Sequence, residues 1–312
     1  MLAVTEIVGW HWAAFISLIL VFLALDLGVF HKKAHVVQFK EALGWTILWF
    51  LMAMAFAGLL FKMRGRQESL EFVTGYILEL SLSMDNVFVI ALIFSYFRVP
   101  LEHQHRVLFW GIIGALVMRG IMIGLGALLI KRVHEMLYVF GAFLIFTGFK
   151  MLFSKDEGVH PEKNPVIRLA QKLFPVSNQF DGQKFLTQWN GRLALTPLAL
   201  VLLMVETTDL IFAVDSIPAI FAVTDNEFII FTSNVFAILG LRSLYFVLAN
   251  AIGYFRYLKY GLSIVLIFIG AKMFLPLFGV QIPSVVALIV VISLILISII
   301  ISVLASKFSK KS

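Results

Sequence analysis

The chain has 312 residues, of which 61% are hydrophobic and 14% charged, and its mean hydropathy is +0.98. Such a composition excludes a soluble globular domain and marks a polytopic membrane protein. The chain has no cysteine, which rules out disulfides and thiolate metal sites, and its net charge of +7 falls mostly in loops, so the basic balance gives no reason to expect nucleic-acid binding.

A hydrocarbon core about 30 Å thick needs about 20 apolar residues to cross. Runs of that kind lie near residues 10–31, 43–61, 72–97, 107–130, 135–153, 194–223, 228–250, 258–276 and 283–305, which predicts nine spans. No basic region precedes the first run, where Glu6 stands, and no small-residue cleavage site follows it, so it reads as a retained helix and not as a signal peptide. The expected architecture is all-α in five parts. Residues 1–71 hold two N-terminal spans, 72–153 a three-helix unit, 154–193 a connector, 194–276 a second three-helix unit, and 277–312 a last span with a basic tail.

The connector contains Pro161, Pro165 and Pro175 and is too polar to cross the membrane. Within it, Val166, Ile167, Leu169, Ala170, Leu173 and Phe174 suit one face of a short amphipathic helix on the membrane surface. Phe185 to Leu193 brackets Asn190-Gly191, a turn pair that accepts positive φ, and reads as a small hairpin. Cytoplasmic loops carry the excess of Lys and Arg. An N-terminus outside puts sixteen loop cations on the inner side and five on the outer, so the expected topology is N-out and C-in across a bacterial inner membrane.

Aligned against itself, the chain repeats its rarest residues. Glu79-Leu80 and Asp85-Asn86 match Asp209-Leu210 and Asp215-Ser216 at an offset of 130, Arg119 matches Arg242 at 123, and Gly148 and Lys150 match Gly270 and Lys272 at 122. Each unit therefore carries an acid pair on its first helix, a mid-span arginine on its second and a terminal lysine on its third. With three spans per unit, the second enters the membrane from the opposite side, which predicts inverted repeats with a site near the bilayer midplane, as in secondary transporters.

Six acids, Asp26, Glu79, Asp85, Glu206, Asp209 and Asp215, lie inside apolar runs. At mid-membrane depth each costs about 2.5–3.5 kcal/mol on insertion, roughly 15–20 kcal/mol for six, so these positions read as functional. Carboxylates accompanied by hydroxyls and amides are hard oxygen ligands, which suit Mn²⁺, Mg²⁺ or Ca²⁺. The expected metal-binding set is Glu79, Asp85, Glu206, Asp209 and Asp215, with Asp26, Ser83, Asn86, Arg119, Thr208, Asn234 and Arg242 as supporting or gating groups. Arg119 and Arg242 either pair with the acids for insertion alone or hold them until a cation arrives. Residues six apart lie about 120° around a helix, so Glu79 with Asp85, or Asp209 with Asp215, would face one ion only if the helix bends, and Pro218 is the expected place in the second unit.

These residues resemble the TerC family of integral membrane proteins, and within it the Alx-type bacterial members. The likeness runs through Leu25-Asp26 to His31, Phe39 to Leu43, Glu79 to Val87, Pro175-Val176 and Val205-Glu206-Thr207-Thr208-Asp209 to Thr224, and covers essentially the whole chain. The resemblance implies Mn²⁺ export and involvement in alkaline-pH responses, with the family's acids carried over to Glu79, Asp85, Glu206, Asp209 and Asp215. Mn²⁺ is then the transported ion, no organic cofactor is expected, the partners are a divalent metal ion and membrane lipids, and the protein is not an enzyme. Some relatives are linked instead to assembly or metalation of membrane and exported proteins, which is the alternative reading. An intramembrane aspartyl protease is disfavoured, because neither Asp85 nor Asp215 stands in a Gly-x-Gly-Asp context.

Overall fold

The computed structural model describes residues 9–25, 37–133, 135–153, 161–189, 191–249 and 258–309. In chain order these form α1 (Gly9–Leu25), α2 (Phe39–Arg64), α3 (Arg66–Tyr96), α4 (Leu101–Arg132), α5 (Met136–Phe153), α6 (Pro165–Leu173), β1 (Leu186–Trp189), β2 (Arg192–Leu195), α7 (Pro197–Phe221), α8 (Glu227–Ala249), α9 (Leu258–Phe274) and α10 (Ser284–Ser309). The protein is an all-α polytopic membrane protein. Among the described residues, eight helices are long and apolar enough to span a bilayer. The remaining predicted span, the first at 10–31, corresponds to α1, whose 17 residues end where the described segment ends.

Local chemistry sets the boundaries. Gly65, at φ 94°, is the single residue between α2 and α3, a backbone angle that a residue without Cβ adopts at little cost. The first turn of α7 is fixed by Pro197 and by Thr196, whose hydroxyl accepts from the Ala199 N–H and donates to the Lys184 carbonyl at 2.7 Å, so one side chain caps the helix and ties it to the hairpin. The hairpin pairs antiparallel, with Leu186 opposite Leu195 and Trp189 opposite Arg192. Gly191, in the turn, has φ 74°, while Asn190 lies outside the described residues.

Both α3 and α7 run unbroken past their acids, with Pro218 inside α7. Pro218, three residues before the end of α7, lacks the N–H that would bond the Val214 carbonyl. Hydroxyls along both helices bond back onto the preceding turn. Ser81 donates to the Ile77 carbonyl at 2.6 Å, and Thr207 and Thr208 to Leu203 and Met204 at 2.6 and 2.7 Å.

Close packing joins α3 to α8, α4 to α7 and α5 to α9. The set is unchanged when α3, α4 and α5 are exchanged with α7, α8 and α9. At the α5–α9 crossing the correspondence reaches single atoms. A methyl group at Gly148 would lie 2.8 Å from the Ser263 carbonyl oxygen and 2.6 Å from Ile267 Cγ1, while one at Gly270 would lie 2.6 Å from the Gly141 oxygen and 2.8 Å from Ile145 Cγ1. The six positions form three pairs, 141 with 263, 145 with 267 and 148 with 270, each at the offset of 122. Of the spanning helices α8 is the most enclosed, with 94% of its apolar window buried.

Candidate functional site

The centre of the protein is a charged cluster built from three helices. Arg119, from the middle of α4, is only 2% exposed, and its guanidinium faces an acid on each side. One terminal nitrogen pairs with Glu79 of α3 and also donates to Ser216 Oγ of α7 at 3.2 Å. The other donates to Asp209 Oδ1 at 3.1 Å, and Nε reaches Asp209 Oδ2 at 3.4 Å, which makes a two-pronged pair with α7. Asn86 Nδ2 donates to the same Asp209 oxygen at 3.2 Å, and Ser83 Oγ to Glu79 Oε1 at 3.4 Å. With both acids ionised the cluster carries one negative charge in excess.

The remaining predicted residues surround this core unevenly. Glu206, one turn before Asp209 and within reach of its charge, lays its carboxyl against Gly114 of α4, where any Cβ would overlap it. Its Oε2 is buried with no hydrogen-bond partner among the described residues, as are Asn86 Oδ1 and both polar atoms of Asn234. Arg242 and Asp209 border a cavity of about 30 Å³ whose other walls include Gly111, Val205 and Ile238. Asn234 stands on the Ile238–Arg242 side of α8, one turn from Ile238.

Asp215 turns away from the cluster toward α5, where Thr147 hydrogen-bonds it and Lys150 adds a positive charge. Asp85 is half-buried on α3, six residues beyond Glu79. Thr208 bonds back onto its own helix, and Asp26 lies outside the described residues. Of the five expected ligands, the structure thus brings Glu79 and Asp209 together on Arg119, with Glu206 beside them. Among the described residues no three His, Asp or Glu side chains converge to hold a metal ion in this arrangement.

Ser216, Gly114, Thr147 and Lys150 are absent from the expected set. Two of them left a trace in the sequence, since Ser216 aligns with Asn86 and Lys150 with Lys272. Gly114 and Thr147 left none, because a glycine or threonine in an apolar run is ordinary.

Comparison with known proteins places the chain among bacterial membrane proteins. The profile described as integral membrane protein TerC family matches residues 64–312. An uncharacterized membrane protein, STKORF319, of Myxococcus xanthus is 52% identical over 302 residues, covering 96% of this chain and 94% of its own. Alx of Escherichia coli strain K12, provisionally described as a membrane-bound redox modulator, is 43% identical over 300 residues, 93% of each chain. A membrane protein of Rickettsia felis is 41% identical over 293 residues, covering 94% of this chain and 97% of its own. No solved structure matches. The chain belongs to the TerC family of integral membrane proteins.

Proposed function

We propose that the protein exports a divalent cation, Mn²⁺ foremost, across the bacterial inner membrane by alternating access and in exchange for protons. The observation that carries this reading is the Arg119 guanidinium held between Glu79 of one three-helix unit and Asp209 of the other. A buried pair of this kind is a poor device for stability alone, because desolvation consumes most of its Coulombic gain. As a site it has a clear use. The guanidinium balances the acids while no ion is present, and a doubly charged cation arriving from the cytoplasm outcompetes it for the same carboxylates. Asn86, Ser83, Ser216 and Glu206 add oxygen atoms around them, a donor set that suits Mn²⁺.

The reciprocal Gly148 and Gly270 contacts support inverted repeats related by an axis in the membrane plane, the framework on which secondary transporters alternate. The loop cations favour an N-terminus outside and a C-terminus in the cytoplasm. No bond is made or broken in this cycle. The chain has no cysteine, and therefore no thiol–disulfide couple of its own, so an effect on redox state like that ascribed to Alx would follow from the ions it moves.

Purified protein in liposomes tests the proposal. Mn²⁺ flux that exceeds Mg²⁺ and Ca²⁺ flux, responds to an imposed pH gradient, and disappears in Glu79→Gln and Asp209→Asn is the expected result. Correctly inserted wild-type protein that moves none of the three ions would overturn transport in favour of an assembly role.

A further inference from the structure

The helix α6 has two apolar faces, and among the described residues only one is covered. Ile167 is 1% exposed and packs in the same core as Leu198 and Val201 at the start of α7. Val166, Leu169 and Leu173 lie on the adjoining side, 39%, 57% and 66% exposed. At 100° per residue these three fall within about 60° of one another, a continuous apolar stripe. Arg168 and Lys172 follow it on one side, both exposed.

The position of α6 along α7 sets its depth. Asn164, which caps α6, donates its side-chain N–H to Met204 Sδ at 3.3 Å. Met204 stands seven residues into α7, about 10 Å along the axis. Interfacial layers beyond the hydrocarbon are each roughly 5–8 Å thick. Thus α6 lies beside the first turns of α7, where that helix enters the bilayer, with its bare stripe facing away from the protein. Residues 161–196 carry five basic side chains and two acidic ones, and one of the acids, Asp181, is taken up by Lys184 at 3.1 Å.

We propose that α6 inserts Val166, Leu169 and Leu173 among the acyl chains of the adjacent leaflet while Arg168 and Lys172 engage anionic phospholipid head groups. An amphipathic helix with a basic border binds a membrane surface in this way, through apolar area and attraction to anionic lipid together. The connector becomes an anchor, held to α7 on one side and to lipid on the other, and it couples the first turns of α7 to the composition of the leaflet.

The cysteine-free sequence makes the test direct. A nitroxide attached to Leu169→Cys in the full chain, reconstituted in vesicles of phosphatidylethanolamine and phosphatidylglycerol, reports depth through its collisions with oxygen and with a water-soluble nickel chelate. The expected result is a label open to oxygen and closed to nickel. Each cation near an anionic surface is worth about fivefold in partition, so Arg168→Gln with Lys172→Gln should shift the balance toward water about 30-fold. Replacing phosphatidylglycerol by phosphatidylcholine should act in the same direction. A label open to nickel in the anionic vesicles would overturn the proposal, as would one closed to both reagents, which would mean a protein partner or a second copy covers the stripe. Immersion indifferent to both the cations and the lipid charge would overturn the anionic-lipid assignment.

Discussion

Arg119 is the side chain on which the centre of the protein depends most. It is almost fully buried and is shared by Glu79 and Asp209, so its removal leaves two carboxyl groups facing each other without a counterion. Breaking a buried pair from one side costs about 3–5 kcal/mol. Arg119→Gln should lower unfolding stability in detergent by that amount, and combining it with Glu79→Gln and Asp209→Asn should recover much of the loss. If the triple variant proves no more stable than Arg119→Gln alone, the guanidinium is not acting as counterion to these acids. The need for such a counterion is readable from sequence, because acids and an arginine in apolar runs demand partners. Which acids it takes is not readable. Glu79 and Asp209 come from different units and are 130 residues apart, and only the crossing of α3, α4 and α7 brings them to one guanidinium. Asp215, assigned to the same centre by its alignment with Asp85, faces α5 instead, since an unbroken helix keeps residues six apart on different sides.

At the level of helices, glycine decides how closely α5 and α9 approach. The atoms that a new methyl would strike at Gly148 and Gly270 include backbone oxygen and nitrogen of the opposing helix, which yield less readily than a side-chain tip. Gly148→Ala and Gly270→Ala should therefore each cost about 1–3 kcal/mol, the usual range for overpacking. The two costs should agree to within about 1 kcal/mol if the crossing is symmetric, and thermal unfolding of the two variants in one detergent would show it. The helices themselves were readable from apolar run lengths, but their ends were not. α3 and α4 contain 31 and 32 residues, roughly 47 Å each at 1.5 Å per residue, and extend beyond the apolar runs into charged segments such as Arg66–Glu71 and Leu101–Arg106. Hydropathy marks where a helix is dry, whereas backbone hydrogen bonding continues into water until a residue such as Gly65 or Pro100 stops it.

For the molecule as a whole, topology is the property on which the proposed cycle depends. Reporter fusions should place the 154–193 connector and Ser312 on the cytoplasmic side, following the sixteen-to-five distribution of loop cations. Four spans, α7 to α10, separate the two, so opposite locations would break the span count on which the inverted arrangement rests. A different consequence follows from the enclosure of α8. Helices at the rim of a membrane protein have one side bathed in lipid, where one aliphatic residue substitutes for another at little cost. With 94% of its apolar window buried, α8 has almost no such side: Phe236 meets Phe15, Phe56 and Phe72, Ile238 borders the Asp209 cavity, and Ser233 stands where Gly75 would carry a Cβ. In a saturation scan scored by cell growth under Mn²⁺ load, α8 should therefore tolerate fewer apolar-for-apolar exchanges than α2 or α10, although it carries only one of the charges buried in the interior. Its intolerance would come from neighbours on every side, a constraint imposed by crowding that the chemistry of the helix's own residues does not announce.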